Sequence, residues 1–456
     1  MQQNKKEDVL IIFKQLTTLT WPIVLAFLMQ TSYNIVDLFW VGKIGPTAIA
    51  AVSLAGTIFY VILAVGQILG SGTVAMVAHA FGANLIDRAN SIIKQSLFLA
   101  SIIALLVSIL GIIFTKQIMV LLGGRGEVLM MSVVYLRIVF VGFFFQLLSF
   151  SVNYGFRGAG DMKTPMLIML VATIINIVLD PFLILGIGFF PRLEVQGAAI
   201  ATTIAKCISF LFGFFILIKG KSGIKLNISE RWFLETKVVR TILGVGIPVG
   251  ISYALMGLSI MSVFRIVASF SDYALAALGV GNRILQLAGL IAVSIGISTT
   301  TMAGQSLGAR DLKRTIQIGI ISVISSVVLM VLCSGIFITH AHSLVSIFNQ
   351  DPQVMMYGVE FLKIVSLYLA FTSITTSLTG VFRGAGNTLP PMFAGLCKLA
   401  LLWTLALFFT QQLEMDVRGV WWAMFISYGI EALIITMWYA SGRWQKRGLA
   451  LLDNIR

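Results

Sequence analysis

The stretch FRGAGDM at residues 156–162 returns as FRGAGNT at residues 382–388, an offset of 226 residues in a chain of 456. The same offset carries Pro22 onto Pro248 and aligns LRIV at 136–139 with LKIV at 362–365. One register therefore holds from the start of each half into its fifth apolar segment. The chain consists of two copies of one unit.

The composition is that of a membrane protein with many spans. Hydrophobic residues make up 58% of the chain, charged residues only 11%, and the mean hydropathy is +0.97. Each half contains six apolar stretches of about 20 residues or more, the length that crosses a bilayer. We number these stretches as helices 1 to 12 in chain order. They are 17–42, 47–76, 94–115, 128–152, 165–188, 197–219, 240–268, 273–303, 316–339, 354–380, 391–412 and 418–441.

The repeat and the spans together predict the fold class and the domains. We expect an all-α polytopic membrane protein with twelve transmembrane helices in two six-helix lobes. An even number of helices per repeat gives both lobes the same orientation, so their pseudo-two-fold axis runs along the membrane normal. The predicted domains are an N-lobe at 1–219, a cytoplasmic linker at 220–239 and a C-lobe at 240–456, because the connection at 219–240 is the longest and most basic.

The basic residues are concentrated in the loops on one side of the membrane. The N-terminus, the even-numbered loops and the C-terminus carry twenty-one Lys and Arg, including Lys221 and Arg231, whereas the opposite loops carry five. The positive-inside rule then places both termini in the cytoplasm. We expect a multi-pass protein of the cell (inner) membrane, and we attribute the net charge of +14 to this topology and not to nucleic-acid binding.

Reactive residue types do not form a catalytic pattern. The three cysteines, Cys207, Cys333 and Cys397, are isolated within apolar segments, and the three histidines lack metal-ligand spacing. Neither a P-loop nor an H-E-x-x-H motif occurs in the sequence. We therefore expect no enzymatic activity and no cofactor.

Two acids distinguish the halves. Asp37 aligns with Val263, and Asp180 aligns with Ala406, so only the first copy has both carboxylates. A charged side chain inside a membrane is costly and indicates function by default. Asp37 follows Pro22 by fifteen residues, as Asp180 follows Pro165. If each proline marks the start of its helix, both acids lie about 22 Å along it, at one level.

Polar side chains share a helix face with each acid. They lie three to seven residues earlier: Asn34 and Tyr33 before Asp37, and Asn176 and Thr173 before Asp180. Two carboxylates with amide and hydroxyl oxygens suit a hard cation or a shared proton. Pro181, directly after Asp180, predicts a bend in helix 5.

A purely structural role for the two acids is the competing interpretation. It requires a basic partner, and Lys206, Arg265, Arg283 and Lys398 are the candidates. Glu431 in helix 12 and Lys398 in helix 11 could likewise pair and lock two helices together. The sequence leaves the roles of Glu431, Lys398, Arg283 and Lys206 open.

The chain resembles the prokaryotic branch of the multidrug and toxic compound extrusion (MATE) family over essentially its whole length. The resemblance lies in the two six-helix lobes, Trp21 and Pro22 opening helix 1, the N-x-x-D context of Asp37, the R-G-x-G turns after helices 4 and 10, and residues 176–181.

The resemblance implies an antiporter that exports amphipathic, cationic compounds by alternating access in exchange for H⁺ or Na⁺. It implies a coupling site, for a proton or a Na⁺ ion, at the N-lobe residues Asp37, Asn176 and Asp180, with Thr202 or Thr203 from helix 6. Cation binding there would compete with substrate or bend helix 1 or 5. Organic substrates and membrane lipids are the expected partners, and the protein is expected to be a monomer.

Other functions stay open at this level. A related branch has acids in helices 7 and 10, but helix 7 has none here and Glu360 lies near the membrane edge. A flippase for lipid or lipid-linked oligosaccharide, from the same wider superfamily, is the main alternative. A passive channel and ion-driven uptake are weaker ones. The substrates, the choice between H⁺ and Na⁺, and the direction of transport are not determined by the sequence.

Overall fold

Helices account for nearly all of the chain. We describe a computed structural model that covers residues 2–188, 190–220, 222–227 and 232–455. No β-strand occurs in these ranges. Lys221 and Arg231 of the predicted linker lie outside the described residues. An apolar environment provides no hydrogen-bond partners for the backbone, and a helix satisfies its own amides and carbonyls internally.

The helices of the first half are α1 (Gln2–Gly42), α2 (Pro46–Gly56), α3 (Phe59–Gly82), α4 (Ile86–Leu121), α5 (Gly126–Ala159), α6 (Lys163–Leu185) and α7 (Glu194–Lys219). Those of the second half are α8 (Thr236–Ala268), α9 (Asp272–Gly308), α10 (Leu312–Thr339), α11 (Ala341–Ser346), α12 (Pro352–Val365), α13 (Tyr368–Gly384), α14 (Leu389–Leu407), α15 (Asp416–Ala440) and α16 (Arg443–Ile455). A π-helical turn, Phe408–Gln412, extends α14.

The predicted spans are confirmed. Within the described ranges, eleven segments are long and apolar enough to cross a membrane, and the bent pair α12 and α13 makes twelve. Their outer faces are apolar: Leu105 is 54% exposed, Leu106 56% and Leu332 60%. Such side chains are stable on the surface only when lipid covers them. The chain is therefore a multi-pass membrane protein.

The tenth predicted span differs from the prediction, because it is broken. The segment at 354–380 was expected as one helix, but α12 and α13 meet at an angle of 48°. The hydroxyl of Ser366 donates to the carbonyl of Leu362, and the carbonyl of Ser366 accepts a hydrogen bond of 2.6 Å from Ser334 of α10. The same carbonyl also accepts a hydrogen bond of 3.1 Å from the Leu369 amide, three residues later. The Ser334 hydroxyl and this tighter turn replace the regular i→i+4 bond where the helix kinks.

The assumption that Pro22 marks the start of helix 1 is wrong. Pro22 lies inside α1, which already begins at Gln2, whereas Pro165 does lie in the first turn of α6. Because the residues before Pro22 are helical as well, the distance from Pro22 does not give the depth of Asp37 in the membrane. Pro181 also lies inside a continuous helix, α6.

Two compact units are present. One comprises Trp21–Gly246 with Ile455, and we call it the first unit. The second unit comprises the described residues up to Thr20 and Ile247–Asn454. Each unit thus begins within two residues of a proline, Pro22 or Pro248. The lobe boundaries predicted at 219 and 240 follow the repeat and stay a prediction.

The repeated FRGAG stretch ends a helix in the same way in both halves. Gly160 has φ of 91° and Gly386 has φ of 65°, a left-handed conformation that glycine adopts without strain. The next amides close the same turn, from Asp161 to the carbonyl of Phe156 and from Asn387 to that of Phe382, both at 2.9 Å. The motif is a structural helix stop.

The last linker residues are attached to α4. Arg88 donates two hydrogen bonds to the carboxylate of Glu235, at 2.7 and 2.8 Å, and Gln95 accepts one of 2.8 Å from the Glu235 amide. Lys94 lies 5.5 Å from the ring of Trp232. The hydrogen bonds from Arg88 hold the pKa of the Glu235 carboxyl below its usual range.

Neutralising Glu235 should release this segment. A depressed carboxyl pKa stabilises the attached state at neutral pH, and that contribution disappears as the pH falls through the pKa of the folded state. Because the pair is partly exposed, we expect Glu235→Gln to cost about 1 kcal/mol or less. Hydrogen exchange at residues 232–240, corrected for intrinsic rates, should be faster in Glu235→Gln at pH 7 and should respond less to acid than in the wild type. Glu7→Gln, at an exposed acid, is the control, and equal protection in both variants would contradict the attachment.

Candidate functional site

Polar side chains from α1, α6 and α7 meet inside the first unit. We call Tyr33, Asp37, Thr173, Asn176, Asp180 and Thr202 the polar cluster. Asn176 and Asp180 have no exposed surface, and Thr202 and Thr173 are 2% and 6% exposed. The predicted spacing on α6 is confirmed, since Thr173, Asn176 and Asp180 follow one another on one buried face.

Hydrogen bonds connect the three helices. Asn176 donates from Nδ2 to Asp180 Oδ1 at 3.1 Å and to Thr202 Oγ1 at 3.5 Å. The hydroxyls of Tyr33 and Thr202 share a hydrogen bond of 3.0 Å. Thr202 therefore links α1 and α6 to α7.

The cluster has more acceptors than donors. Among the described residues, no hydrogen-bond partner is found for Asp37 Oδ1, Thr173 Oγ1, Asn176 Oδ1 or Asp180 Oδ2, although all four atoms are buried. The two carboxylates also repel each other electrostatically. Burying a polar atom without a partner costs about 1–3 kcal/mol, and more for a charged one. A small cation would be coordinated by several of these oxygens, whereas a proton on one carboxylate would provide one new donor.

Thr202 and Thr203 make different contacts. Thr202 points to Asn176, whereas the hydroxyl of Thr203 donates to the carbonyl of Ile138 at 3.3 Å. Asn34, the other predicted neighbour of Asp37, is exposed and has no hydrogen bond to a described residue. It lies outside the polar cluster.

Lys206 interacts with Asp37 without forming an ion pair with it. Its ammonium interacts favourably with Asp37 and lies 5.3 Å from the ring centre of Phe59. Nζ is buried and, in the part of the chain that is described, makes no hydrogen bond. The structure therefore does not provide the ion pair that a purely structural role for Asp37 requires.

Sequence reasoning missed Tyr135 of α5. Its side chain is 3% exposed and interacts electrostatically with Asp37, Tyr33 and Asp180. The repeat contained a signal, because Tyr135 aligns with Phe361 and so has a hydroxyl in one copy only.

The second half has apolar side chains at most of these positions, and the exception is Ser259, the counterpart of Tyr33. In the last helix the offset is 222, since α7 begins at Glu194 and α15 at Asp416, each with φ of 52°. The counterparts of Asp37, Tyr135, Asn176, Asp180 and Thr202 are Val263, Phe361, Leu402, Ala406 and Met424. All five belong to one buried hydrophobic cluster. The fold itself therefore does not need polar groups at these positions.

Comparison with known proteins places the chain in a family. The family described as MatE matches residues 22–182 and 248–407. The chain belongs to the MatE family. It is thus a MATE transporter, as the sequence predicted, and both matched segments begin at the repeated proline. Its family is one of transporters.

Relatives match over nearly their full length. The chain is 29% identical to the probable multidrug resistance protein YoeA of Bacillus subtilis, over 97% of this chain and 96% of the relative. It is 27% identical to the multidrug export protein MepA of Staphylococcus haemolyticus, over 93% and 92%. A solved outward-facing multidrug resistance MATE transporter of the MOP superfamily has the same fold, with a TM-score of 0.87, 23% identity and 96% coverage of each chain.

Close packing of α6 against α7 holds the polar cluster together. A Cβ atom at Gly197 would lie 2.2 Å from the carbonyl oxygen of Leu183, so the helices can approach only with glycine there. Gly197 lies five residues before Thr202, little more than one turn of α7.

We expect Gly197→Ala to separate α6 from α7. The added methyl group overlaps backbone, which costs about 1–3 kcal/mol and moves Thr202 away from Asn176. Thermal unfolding of the purified protein should start at a lower temperature, and gradient-driven transport should fall. Gly335→Ala is the control, because a Cβ at Gly335 meets no atom within 4 Å. Equal behaviour of the two variants would show that the contact does not constrain the cluster.

Proposed function

We propose that this protein is an ion-coupled antiporter that exports amphipathic, cationic organic compounds. In this proposal the polar cluster binds the coupling ion, H⁺ or Na⁺, through Asp37, Asn176, Asp180 and Thr202. The protein works as a monomer in the cell membrane, with both termini in the cytoplasm. The names of the relatives support drug export.

The observation that carries the proposal is the set of four unpartnered oxygens. They lie on α1 and α6, and both helices are hydrogen-bonded to α7 through Thr202. In the second half, the counterparts of Asp37, Asn176 and Asp180 belong to a buried apolar cluster. A structural polar network would have its hydrogen bonds completed within the protein. An exchangeable cation explains why this one is incomplete.

The cluster also suggests how an ion changes the protein's shape. Without a cation, the two carboxylates repel each other and α1 and α6 are pushed apart at Asp37 and Asp180. A bound proton or Na⁺ ion removes the repulsion and draws the helices together. Pro22 lowers the cost of bending α1, since proline removes one hydrogen bond from the helix. The ion thereby favours one conformation over another, which is what coupling requires.

The direct test is dye efflux from proteoliposomes under an imposed pH or Na⁺ gradient. Asp37→Asn and Asp180→Asn should each abolish gradient-driven transport, because one carboxylate cannot hold the ion against the cost of leaving water. Asp453→Asn, which removes an exposed acid paired with Arg310, should leave transport intact. The gradient that drives the wild type identifies the ion. Transport by Asp37→Asn at the normal rate would exclude this site, and a well-folded wild type that moves lipid but no dye would favour the flippase.

Lys206 provides a second test, because its ammonium interacts with Asp37. Its positive charge competes with the coupling ion for Asp37. Lys206→Met should therefore lower the half-saturating concentration of the coupling ion roughly tenfold, equivalent to about 1.4 kcal/mol. The measurement is the ion dependence of initial transport rates. Weaker ion binding in Lys206→Met would show instead that the lysine supports the site.

A further inference from the structure

A second buried group of charges lies in the second unit. Lys398 Nζ of α14 is 2.9 Å from Glu431 Oε2 of α15, and their side chains are 12% and 7% exposed. Lys398 lies nine residues after the start of α14, and Glu431 nine residues before the end of α15. Each is therefore about 14 Å from that end of its helix. The two residues form an ion pair deep within the apolar part of the unit.

Aromatic rings lie beside this ion pair. The ammonium of Lys398 is 4.4 Å from the centre of the Tyr428 ring, and Tyr428 stacks on Tyr368 of α13 with centroids 4.4 Å apart. Both tyrosines are half-buried. Thr372 and Thr375 lie on the helix face of Tyr368, and neither hydroxyl oxygen has a hydrogen-bond partner among the described residues. Charges, flat rings and free hydroxyls are the groups that bind a polar aromatic ligand.

The fold does not need the ion pair. The corresponding positions of the first half are Ala172 on α6 and Ser209 on α7, two helices that also pack against each other. Replacing a buried ion pair by apolar side chains is often neutral or stabilising, because desolvation offsets the attraction between the charges. The pair is therefore better explained by a ligand than by stability.

The charge balance restricts what that ligand can be. A ligand with only a positive charge that bound Glu431 would leave the ammonium of Lys398 buried without a partner. A ligand with only a negative charge that bound Lys398 would leave Glu431 in the same state. A ligand with both charges gives each residue a new partner, and the site stays neutral. Breaking a buried pair is costly when one charge remains uncompensated.

We propose that Lys398, Glu431, Tyr428 and Tyr368 form a binding site selective for zwitterionic aromatic compounds, with the ligand's carboxylate on Lys398 and its ammonium on Glu431. This inference rests on the proposed export of organic compounds and extends its substrates from cationic to zwitterionic aromatic compounds. The ligand's ring packs on the two tyrosines. Selectivity follows from the resident ion pair, which only a ligand with both charges replaces completely.

The test is equilibrium binding by calorimetry to the purified protein, without any ion gradient. Four probes share one ring: tryptophan (zwitterion), tryptophan methyl ester (monocation), N-acetyltryptophan (monoanion) and N-acetyltryptophan amide (neutral). The wild type should bind tryptophan at least tenfold more tightly than either singly charged probe. Lys398→Met should then prefer the methyl ester, and Glu431→Gln should prefer N-acetyltryptophan.

The double variant Lys398→Met/Glu431→Gln, which leaves no unpaired charge, should remain folded and lose the preference for charged probes. Arg310→Met, at the exposed pair with Asp453, is the matched control and should keep the wild-type order. A wild type without preference for the zwitterion would overturn the proposal, as would the same order of affinities in both single variants.

The binding assay separates this inference from the proposed coupling site. Asp37→Asn should lose gradient-driven transport and keep the wild-type order of probe affinities. If Asp37→Asn transports normally while the probe order follows the prediction, only the coupling proposal fails. If Asp37→Asn loses gradient-driven transport but the probe affinities do not follow the predicted order, only the proposal of a zwitterion site is wrong.

Discussion

In an apolar surrounding, each backbone amide and each charge has to find its partner within the protein. The backbone meets this requirement through helices, which explains why the described chain is mostly helical. Many of the exposed side chains on its spans are leucine, isoleucine or phenylalanine. Charged side chains meet it only through specific contacts. The few that lie within the spans are therefore informative, since nothing but a partner or a function keeps them there.

The two copies use this constraint differently. In the first unit, carboxylates, an amide and hydroxyls converge without enough donors, whereas the second unit fills the equivalent positions with a packed apolar cluster. The second unit instead has a buried lysine and glutamate, at positions where the first has alanine and serine. The copies thus keep the same helical framework and place their polar groups at different points. A shared framework with different polar groups is what a protein needs to bind two dissimilar ligands.

Much of this could be predicted from the sequence, and for clear reasons. Hydropathy and the repeat give the spans, because membrane helices are long and apolar. The α6 part of the site follows from helical spacing, and Asp37 from the mismatch between the copies. Contacts between distant helices could not be predicted. The electrostatic link of Tyr135 to the acids, the unpaired state of Lys206 and the choice of Thr202 all depend on how α1, α5 and α7 pack against one another.

Local irregularities of the helices could not be predicted from the sequence either. The kink between α12 and α13 arises from a hydrogen bond that Ser334 donates from another helix. Proline is common in the first turn of a helix, which predicts a helix start at Pro22, yet α1 continues through this residue. The helices α11 and α16 were not predicted, because they are too short to span and the hydropathy pattern does not mark them.

The apolar cluster of the second unit has an evolutionary consequence. Val263, Phe361, Leu402, Ala406 and Met424 pack against one another, so an acid introduced at any one of them would be buried among hydrocarbon with neither a donor nor a cation-binding partner. Restoring a cluster like that of the first unit would require several replacements at once, each harmful alone. The divergence of the duplicated halves is in this respect irreversible by single steps. Once apolar side chains had replaced the polar groups of one copy, each single mutation back to a polar residue would destabilise the protein.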